Sequence, residues 1–182
     1  MISGLNFLAV LDDNFFKDKI YETAEKLDGT AEIIWFRFKD YTNIQKKLIN
    51  IRKTVKKSIL TLSSNYILAE KYGFDGVHLN KNNIKYYNNI KRETKLIMGY
   101  SSHSIDEIDN INADYYTLSP IFHTQKDYEV TPLGIIDYNK TKKVFALGGI
   151  NIENLDKIKD HFYGFAGIRI VQDIIKLHNL SL

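Results

Sequence analysis

The sequence predicts an α/β fold, a compact (β/α)8 barrel. Eight short apolar segments recur along the chain of 182 residues. Their starts lie about 18 to 30 residues apart, which is the repeat of βα units. The segments are almost continuously apolar, as expected of parallel strands that are buried on both faces. They span residues 5–11, 31–38, 58–63, 76–79, 94–100, 114–119, 143–148 and 164–170. A seven-stranded or open sheet is the alternative.

Helix signals separate most of the predicted strands. Gly29 is a stop signal after a first apolar helix face, and Ser104 and Asn151 precede acidic residues as helix N-caps do. Barrels of this type usually exceed about 200 residues, so several helices must be short in this chain. The sixth helix is predicted to be shortened, because only the residues around 135–142 are left for it between strands six and seven.

Composition indicates one domain over residues 1–182 and excludes several kinds of function. The net charge of +3 is too small to indicate a nucleic-acid-binding protein. The absence of cysteine excludes disulfides, thiolate metal sites and cysteine nucleophiles. No apolar run reaches the roughly 18 to 20 residues of a membrane span, and no basic segment precedes the first apolar one. We therefore expect a cytoplasmic protein with no membrane or nucleic-acid partner.

Glycines mark the ends of the last two predicted strands. In a (β/α)8 barrel the loops after strands seven and eight commonly hold a phosphate with backbone N–H groups. Gly148 and Gly149 follow strand seven, and Gly167, Ile168 and Arg169 lie near the end of strand eight. These residues predict a phosphate site to which Arg169 adds a charged hydrogen bond. The alternative is that the glycines serve only tight turns and close packing.

Five motifs, in this order, resemble the thiamine-phosphate synthase and TenI family. They are FDGVHLNKNN, IMGYSSHSIDEI, ADYYTLSPIFHT, TPLG and FALGGI. The resemblance covers most of the chain, about residues 34–168. Members of that family are (β/α)8 barrels of thiamin biosynthesis, so the resemblance implies this fold and a thiazole phosphate ligand.

The resemblance implies an anion site after the second strand. The synthases hold a pyrophosphate with a QLR.K segment, which reads WFRFK in this sequence. Arg37 and Lys39 match the basic pair, and Trp35 stands in place of the glutamine. Ser101 matches a serine that contacts substrate in the synthases. Solvent-facing charges at a strand end are the alternative for the basic pair.

The resemblance also implies a departure from the synthases at their Mg²⁺ site. The Asn-Asp pair of the synthases corresponds to Ser63 and Ser64, and their second metal-binding aspartate corresponds to Asn83. Mg²⁺ usually needs a carboxylate besides phosphate oxygens. We therefore expect no cofactor, and Mg²⁺ only if the protein acts as a synthase.

The TenI branch isomerises a thiazole carboxylate phosphate, so the resemblance also implies a group that titrates near neutral pH. His123, in the loop after the sixth strand, is the candidate acid or base, whereas Pro120 stands where the tautomerase histidine falls. A loop histidine without a task is the alternative. Thr124 and Lys126 resemble a segment that contacts thiazole and diphosphate groups.

Two more histidines are expected to have structural roles. His103 is similar to a histidine common to the family, and it is expected to orient the loop in which it lies. His78 lies within the fourth strand, where burial with one hydrogen-bonded nitrogen is expected. Neither residue is therefore assigned to catalysis from the sequence.

Three functions remain open. The first, which the sequence favours, is a TenI-like enzyme that moves a proton on a thiazole phosphate. The second is a thiamine-phosphate synthase that joins thiazole phosphate to hydroxymethylpyrimidine pyrophosphate, and the third is a non-catalytic ligand-binding relative. The missing carboxylates favour the first and third, whereas Arg37, Lys39 and Ser101 favour the second. The resemblance also allows a homodimer, because family members are often dimers.

Overall fold

Eight parallel strands form a closed barrel in the computed structural model, which describes residues 4–124, 130–136, 138 and 141–179. Each strand pairs with the next one in the chain, and the first pairs with the eighth. The strands are β1 (Asn6–Asp12), β2 (Ile33–Arg37), β3 (Ile59–Ser63), β4 (Gly76–Leu79), β5 (Ile97–Ser102), β6 (Tyr115–Leu118), β7 (Val144–Ala146) and β8 (Gly164–Gly167). The predicted (β/α)8 barrel is confirmed over the seven-stranded and open sheets.

Helices connect most successive strands. They are α1 (Asp13–Phe16), α2 (Ile20–Leu27), α3 (Gln45–Thr54), α4 (Tyr66–Lys71), α5 (Tyr87–Glu93), α6 (Ile105–Asn110), α7 (Leu155–Ile158) and α8 (Ile170–Asn179). Short 3-10 segments span Lys17–Lys19, Ile84–Tyr86 and Ile152–Asn154. The described residues between β6 and β7 contain no helix, and the predicted short sixth helix falls partly outside the described ranges. Among the helices described, none has the length and hydropathy needed to cross a membrane.

The predicted capping residues set the helix boundaries. The Ser104 hydroxyl accepts a hydrogen bond from the Glu107 amide at 3.2 Å and caps α6. The Asn151 side chain accepts from the Asn154 amide at 3.1 Å, and the two asparagines form a reciprocal capping box. Such side-chain acceptors satisfy helix amides that have no partner in the first turn.

The eighth strand ends at Gly167, three residues earlier than predicted. Ile168 and Arg169 form the loop that follows it, and α8 begins at Ile170. The chain turns sharply here and brings Ile170 close to Gly167. A Cβ atom on Gly167 would lie 2.8 Å from Cγ2 of Ile170. Of the apolar residues after Gly167, Ile168 therefore lies in the loop and Ile170 belongs to the helix, and neither belongs to the strand.

The barrel interior has a small apolar core of its own. It contains Leu8, Val10, Ile33, Trp35, Tyr115, Phe145 and Ala166. Buried side chains of this size contribute about 1.5–3 kcal/mol each when they leave water. Gly99 faces this interior, where a Cβ atom would collide with the rings of Tyr115 and His78. The glycine therefore makes room for polar rings between the apolar core and the carboxyl ends of the strands.

Candidate functional site

A cavity of about 510 Å³ opens at the carboxyl ends of the barrel strands. This is the end at which (β/α)8 barrels place their functional residues. The cavity is lined by Asp12, Trp35, Arg37, Phe38, Lys39, Ser63, Ser64, His78, Leu79, Asn80, Ser101, His103, Ser119, Pro120, Thr124, Leu147 and Gly148. Five predicted site residues are therefore brought together, namely Arg37, Lys39, Ser101, Thr124 and Gly148.

Two cationic side chains line the cavity at the end of β2. The Arg37 guanidinium lies over the Trp35 ring, with 5.5 Å between Cζ and the ring centroid, and its Nε is 3.8 Å from Oδ2 of Asp12. That separation is long for an ion pair, so the guanidinium keeps donors for another anion. Lys39 makes no hydrogen bond or ion pair to any residue that the structure describes. Both cations are thus available to a ligand.

Stacked rings form the floor of the cavity. The Trp35 indole and the His78 imidazole lie 3.8 Å apart between centroids, with 24° between their planes. The Trp35 ring nitrogen donates to Oγ of Ser63 at 2.8 Å, which fixes the orientation of the indole. Both rings are buried, at 6% and 1% exposure respectively. The floor is therefore a rigid aromatic surface with the Arg37 charge above it.

Both nitrogens of His78 are hydrogen-bonded, whereas only one was predicted to be. Nδ1 lies 3.1 Å from the Tyr115 hydroxyl, and Nε2 lies 2.9 Å from Oγ of Ser101. Burial and the neighbouring Arg37 charge lower the pKa of His78 to about 3, because each disfavours the protonated ring. His78 is therefore a neutral imidazole at neutral pH. The prediction that it is buried is confirmed.

The loop after β5 is held by a set of local hydrogen bonds. Nδ1 of His103 bonds the Ser119 carbonyl at 2.8 Å, which joins this loop to the loop after β6. Glu107 accepts from the His103 amide at 2.7 Å and from the Ser102 hydroxyl at 3.1 Å. These contacts support the predicted loop-orienting role of His103. Since Nδ1 is engaged, Nε2 is the remaining polar atom of the His103 ring. The residue also lines the cavity.

The glycines after β7 are needed for a tight turn and close packing. Gly148 and Gly149 have φ angles of +92° and +69°, a region that side chains rarely adopt. A Cβ atom on Gly149 would lie 2.5 Å from the His123 carbonyl oxygen and 2.7 Å from Cβ of Phe122. The packing alternative therefore accounts for both glycines. Their amides donate no hydrogen bond to any described residue, so a phosphate there stays a prediction.

The predicted residues after β8 do not line the cavity. Gly167 is buried, Ile168 is half-buried against the core, and Arg169 is exposed. The amides of Ile168 and Arg169 donate no hydrogen bond to any described residue. Their predicted role in holding a phosphate stays untested.

The predicted acid or base, His123, is an exposed residue outside the cavity lining. Its neighbour Thr124 does line the cavity, and Cγ2 of Thr124 would be 3.4 Å from a Cβ atom on Gly148. Lys126 lies outside the described residues. The catalytic role of His123 stays a prediction, and its side chain makes no hydrogen bond to any cavity residue that the structure describes.

The residues at the expected metal positions do not fit a Mg²⁺ site. Oγ of Ser63 accepts the indole N–H, and Oδ1 of Asn83 accepts the Asn80 amide at 2.7 Å. The Ser64 amide donates to the His78 carbonyl at 2.9 Å. Neither serine nor asparagine supplies the carboxylate that Mg²⁺ usually takes from a protein. The part of the chain that the structure describes also holds no cluster of three His, Cys, Asp or Glu side chains.

Two features of the site were not predicted from the sequence. Asp12 lines the cavity at the end of β1, where one carboxylate oxygen accepts from the Asn14 amide at 3.0 Å and caps α1. The Tyr115 hydroxyl binds the Thr61 hydroxyl at 3.2 Å and so extends the hydrogen bonds of His78 into the barrel. The signal for Asp12 was present in the sequence, because a polar residue directly follows an apolar strand at the functional end.

This fold and cavity define a (β/α)8 barrel with a cationic, polar site at the carboxyl ends of its strands. Comparison with known proteins gives the family. A family model described as thiamine monophosphate synthase matches residues 7–174, so the chain belongs to the thiamine-phosphate synthase and TenI family of enzymes.

Individual relatives agree with this assignment. The thiamine-phosphate synthase of Flavobacterium psychrophilum is 30% identical over 173 residues, covering 82% of this chain and 82% of the relative. That of Methanococcus maripaludis strain S2 is 24% identical over 97% of this chain and 89% of the relative. The solved thiamine phosphate pyrophosphorylase of Pyrococcus furiosus has a TM-score of 0.78 at 22% identity, covering 97% and 95% of the two chains. At that identity it supports the fold alone.

Proposed function

We propose that the protein is a thiamine-phosphate synthase that joins thiazole phosphate to hydroxymethylpyrimidine pyrophosphate. One observation carries this proposal: Arg37 and Lys39 line the same cavity as Ser101, at the functional end of the barrel. Two adjacent cations and a hydroxyl suit a pyrophosphate, whose charge is larger than that of a phosphate monoester. The names of the relatives point the same way.

The proposed step is displacement of pyrophosphate. The bond between the pyrimidine methylene carbon and the pyrophosphate oxygen breaks, and its electron pair leaves with the pyrophosphate. The thiazole ring nitrogen then bonds to that carbon, giving thiamin phosphate and free pyrophosphate. Negative charge develops on the leaving oxygen, so Arg37 and Lys39 stabilise the transition state more than the ground state.

The neighbouring groups complete the proposed site. The hydroxyl of Ser101 supplies a neutral contact to the pyrophosphate, and the Trp35–His78 floor gives an apolar surface beside the reacting rings. The buried floor excludes water from one side of the reactive carbon, which limits hydrolysis. The donor set does not fit a protein-held Mg²⁺, so no step is assigned to a metal.

TenI-like proton transfer is the second candidate function. The serines and asparagine at the metal positions favour it, because moving a proton requires no pyrophosphate-bound metal. Both His103 and His123 are exposed, but His103 lines the cavity and His123 does not, so His103 is the better-placed acid or base in that case. His78 is excluded from this role, since both of its nitrogens are engaged and its low pKa keeps it neutral.

One assay tests these functions together. Thiazole phosphate and the pyrimidine pyrophosphate are incubated with the protein, with and without Mg²⁺, and thiamin phosphate is measured by chromatography. We expect product, and an Arg37→Ala variant should lose about tenfold or more in kcat/KM, the equivalent of one charge-assisted hydrogen bond. Arg52→Ala is the matched control, because Arg52 pairs with Asp75 at the start of β4, away from the cavity.

Other outcomes identify the other functions. Isomerisation of thiazole carboxylate phosphate that His103→Ala abolishes, without coupling, would replace the synthase by a tautomerase. Neither reaction, together with thermal stabilisation by thiazole phosphate, would leave a non-catalytic binding protein.

A further inference from the structure

A chain of four hydrogen-bonding side chains runs from the barrel interior to the cavity. The Thr61 and Tyr115 hydroxyls are 3.2 Å apart, Tyr115 is 3.1 Å from Nδ1 of His78, and Nε2 of His78 is 2.9 Å from Oγ of Ser101. Four neighbouring strands, β3 to β6, contribute one residue each. Thr61 is fully buried, and Ser101 lines the cavity.

Counting hydrogens assigns the direction of this chain. The four side chains carry four polar hydrogens and share three hydrogen bonds, because a neutral imidazole has one N–H. If Ser101 donates to Nε2 of His78, then Nδ1–H must donate to the Tyr115 hydroxyl, and Tyr115 must donate to the Thr61 hydroxyl. The hydrogen of Thr61 then has no acceptor, since Thr61 has no other polar partner among the described residues. A buried donor without an acceptor is costly.

The opposite direction satisfies every buried group. The contact between Thr61 and Tyr115 joins two hydroxyls, so either one can be the donor. In this order Thr61 donates to Tyr115, Tyr115 donates to Nδ1 of His78, and Nε2–H donates to Ser101. The hydrogen of Ser101 is then the one left over, and it is directed to whatever occupies the cavity. Burial raises the pKa of Tyr115, so its hydroxyl keeps the proton that this order requires.

We propose that His78 is a positioning residue whose Nε2–H tautomer, set by Tyr115 and Thr61, makes Ser101 a hydrogen-bond donor toward phosphate oxygens in the cavity. Phosphate oxygens accept hydrogen bonds. Ser101 can therefore bind them when its hydroxyl hydrogen is free, but not when that hydrogen is donated to His78. The inference rests on the proposed function for the identity of the anion.

The packing around His78 supports a fixed tautomer. The ring is buried and stacked on Trp35, and a Cβ atom on Gly99 would collide with its Nδ1, so exchange of the two nitrogens requires the neighbouring residues to move. Protonation would remove the distinction between the nitrogens, and burial prevents it, since the pKa of His78 lies at about 3.

Nuclear magnetic resonance of histidine labelled with nitrogen-15 tests the tautomer without any ligand. We expect the His78 ring to carry its proton on Nε2 and none on Nδ1, at pH values from about 5 to 8. A His78→Gln variant assigns the signal. A proton on Nδ1, or on both nitrogens, would overturn the proposal whether or not the protein makes thiamin phosphate.

Calorimetric titration with inorganic pyrophosphate tests the effect on Ser101. We expect Ser101→Ala to weaken binding about tenfold, the loss of one hydrogen bond to a charged group. His78→Asn, which lacks a donor at the Nε2 position, should weaken pyrophosphate binding similarly. The double variant with Ser101→Ala and His78→Asn should bind no more weakly than either single variant. His78→Gln, whose amide reaches that position, should bind more tightly than His78→Asn.

Two results separate this inference from the proposed function. Additive losses in the double variant would show that His78 acts independently of Ser101 and would refute the positioning role. Coupled losses in a protein that makes no thiamin phosphate would leave the positioning role standing and remove only the synthase. Thermal unfolding of each variant checks that the fold is retained.

Discussion

The guanidinium of Arg37 lies over the indole of Trp35, which also stacks on the His78 ring and donates to the Ser63 hydroxyl. The basic group that is proposed to bind the anion is thus in contact with the only tryptophan in the chain. Tryptophan emission responds to charges close to the ring. The molecule therefore has a built-in reporter of anion binding at its candidate site.

Pyrophosphate should change the tryptophan emission in a saturable way. Binding neutralises or moves the guanidinium above the Trp35 ring, so the spectrum should shift with the occupancy of the site. Titration with inorganic pyrophosphate, monitored by fluorescence, gives the affinity. Arg37→Ala should weaken it about tenfold, and Arg52→Ala should leave it unchanged. A change that grows linearly without saturation, or that Arg37→Ala does not affect, would contradict a site at Arg37.

A side chain at Gly149 should destabilise the loops around the cavity. Gly149→Ala places a Cβ atom 2.5 Å from the His123 carbonyl oxygen, in addition to the strain of a φ angle of +69°. Gly134→Ala is the matched control, with a φ of +74° and nothing within 4 Å of its Cβ. We expect about 1–2 kcal/mol from strain in both variants, and more in Gly149→Ala. Urea unfolding measures the difference, and equal losses would remove the packing argument.

The buried hydroxyl of Thr117 should be dispensable for stability. Its Oγ1 is the buried side-chain polar atom for which the described residues offer no hydrogen-bond partner. Thr117→Val removes an unpaired polar group at nearly constant shape, so it should stabilise the fold by about 1 kcal/mol. Thr61→Val breaks the hydrogen bond to Tyr115 and should destabilise it by about the same amount. A loss of stability in Thr117→Val would show that the hydroxyl has a partner.

The barrel could be predicted from the sequence because its strands are buried on both faces. Each strand is therefore a continuous apolar segment, which can be recognised without knowledge of the tertiary structure. The family resemblance pointed to Arg37, Lys39 and Ser101, and all three line the cavity at the carboxyl ends of the strands, while their binding roles stay predictions. The predicted end of β8 was wrong because the apolar pattern continues through Ile168 in the loop to Ile170 in α8. Apolar runs do not distinguish a buried strand from a buried helix turn.

The hydrogen-bonded chain through His78 could not be predicted in the same way. It depends on the register of four strands, which places His78 opposite Gly99 and Ser101 opposite Thr117. That register is set by closure of the barrel rather than by any local pattern. The spacing of the residues along the sequence therefore gives no indication that Thr61, Tyr115 and His78 meet.

The burial of His78 should make the fold sensitive to acid. The folded-state pKa is about 3 and the ordinary value is 6.5, so the unfolded chain binds a proton between these values and the folded protein does not. The contribution of the neutral His78 to the free energy of unfolding is therefore fully present above about pH 6.5. It falls as the pH decreases toward 3, by up to about 1.4 kcal/mol per pH unit. His78→Gln cannot bind that proton, so its stability should fall less steeply. Urea unfolding at a series of pH values compares the two proteins, and parallel curves would show that folding does not lower the pKa of His78.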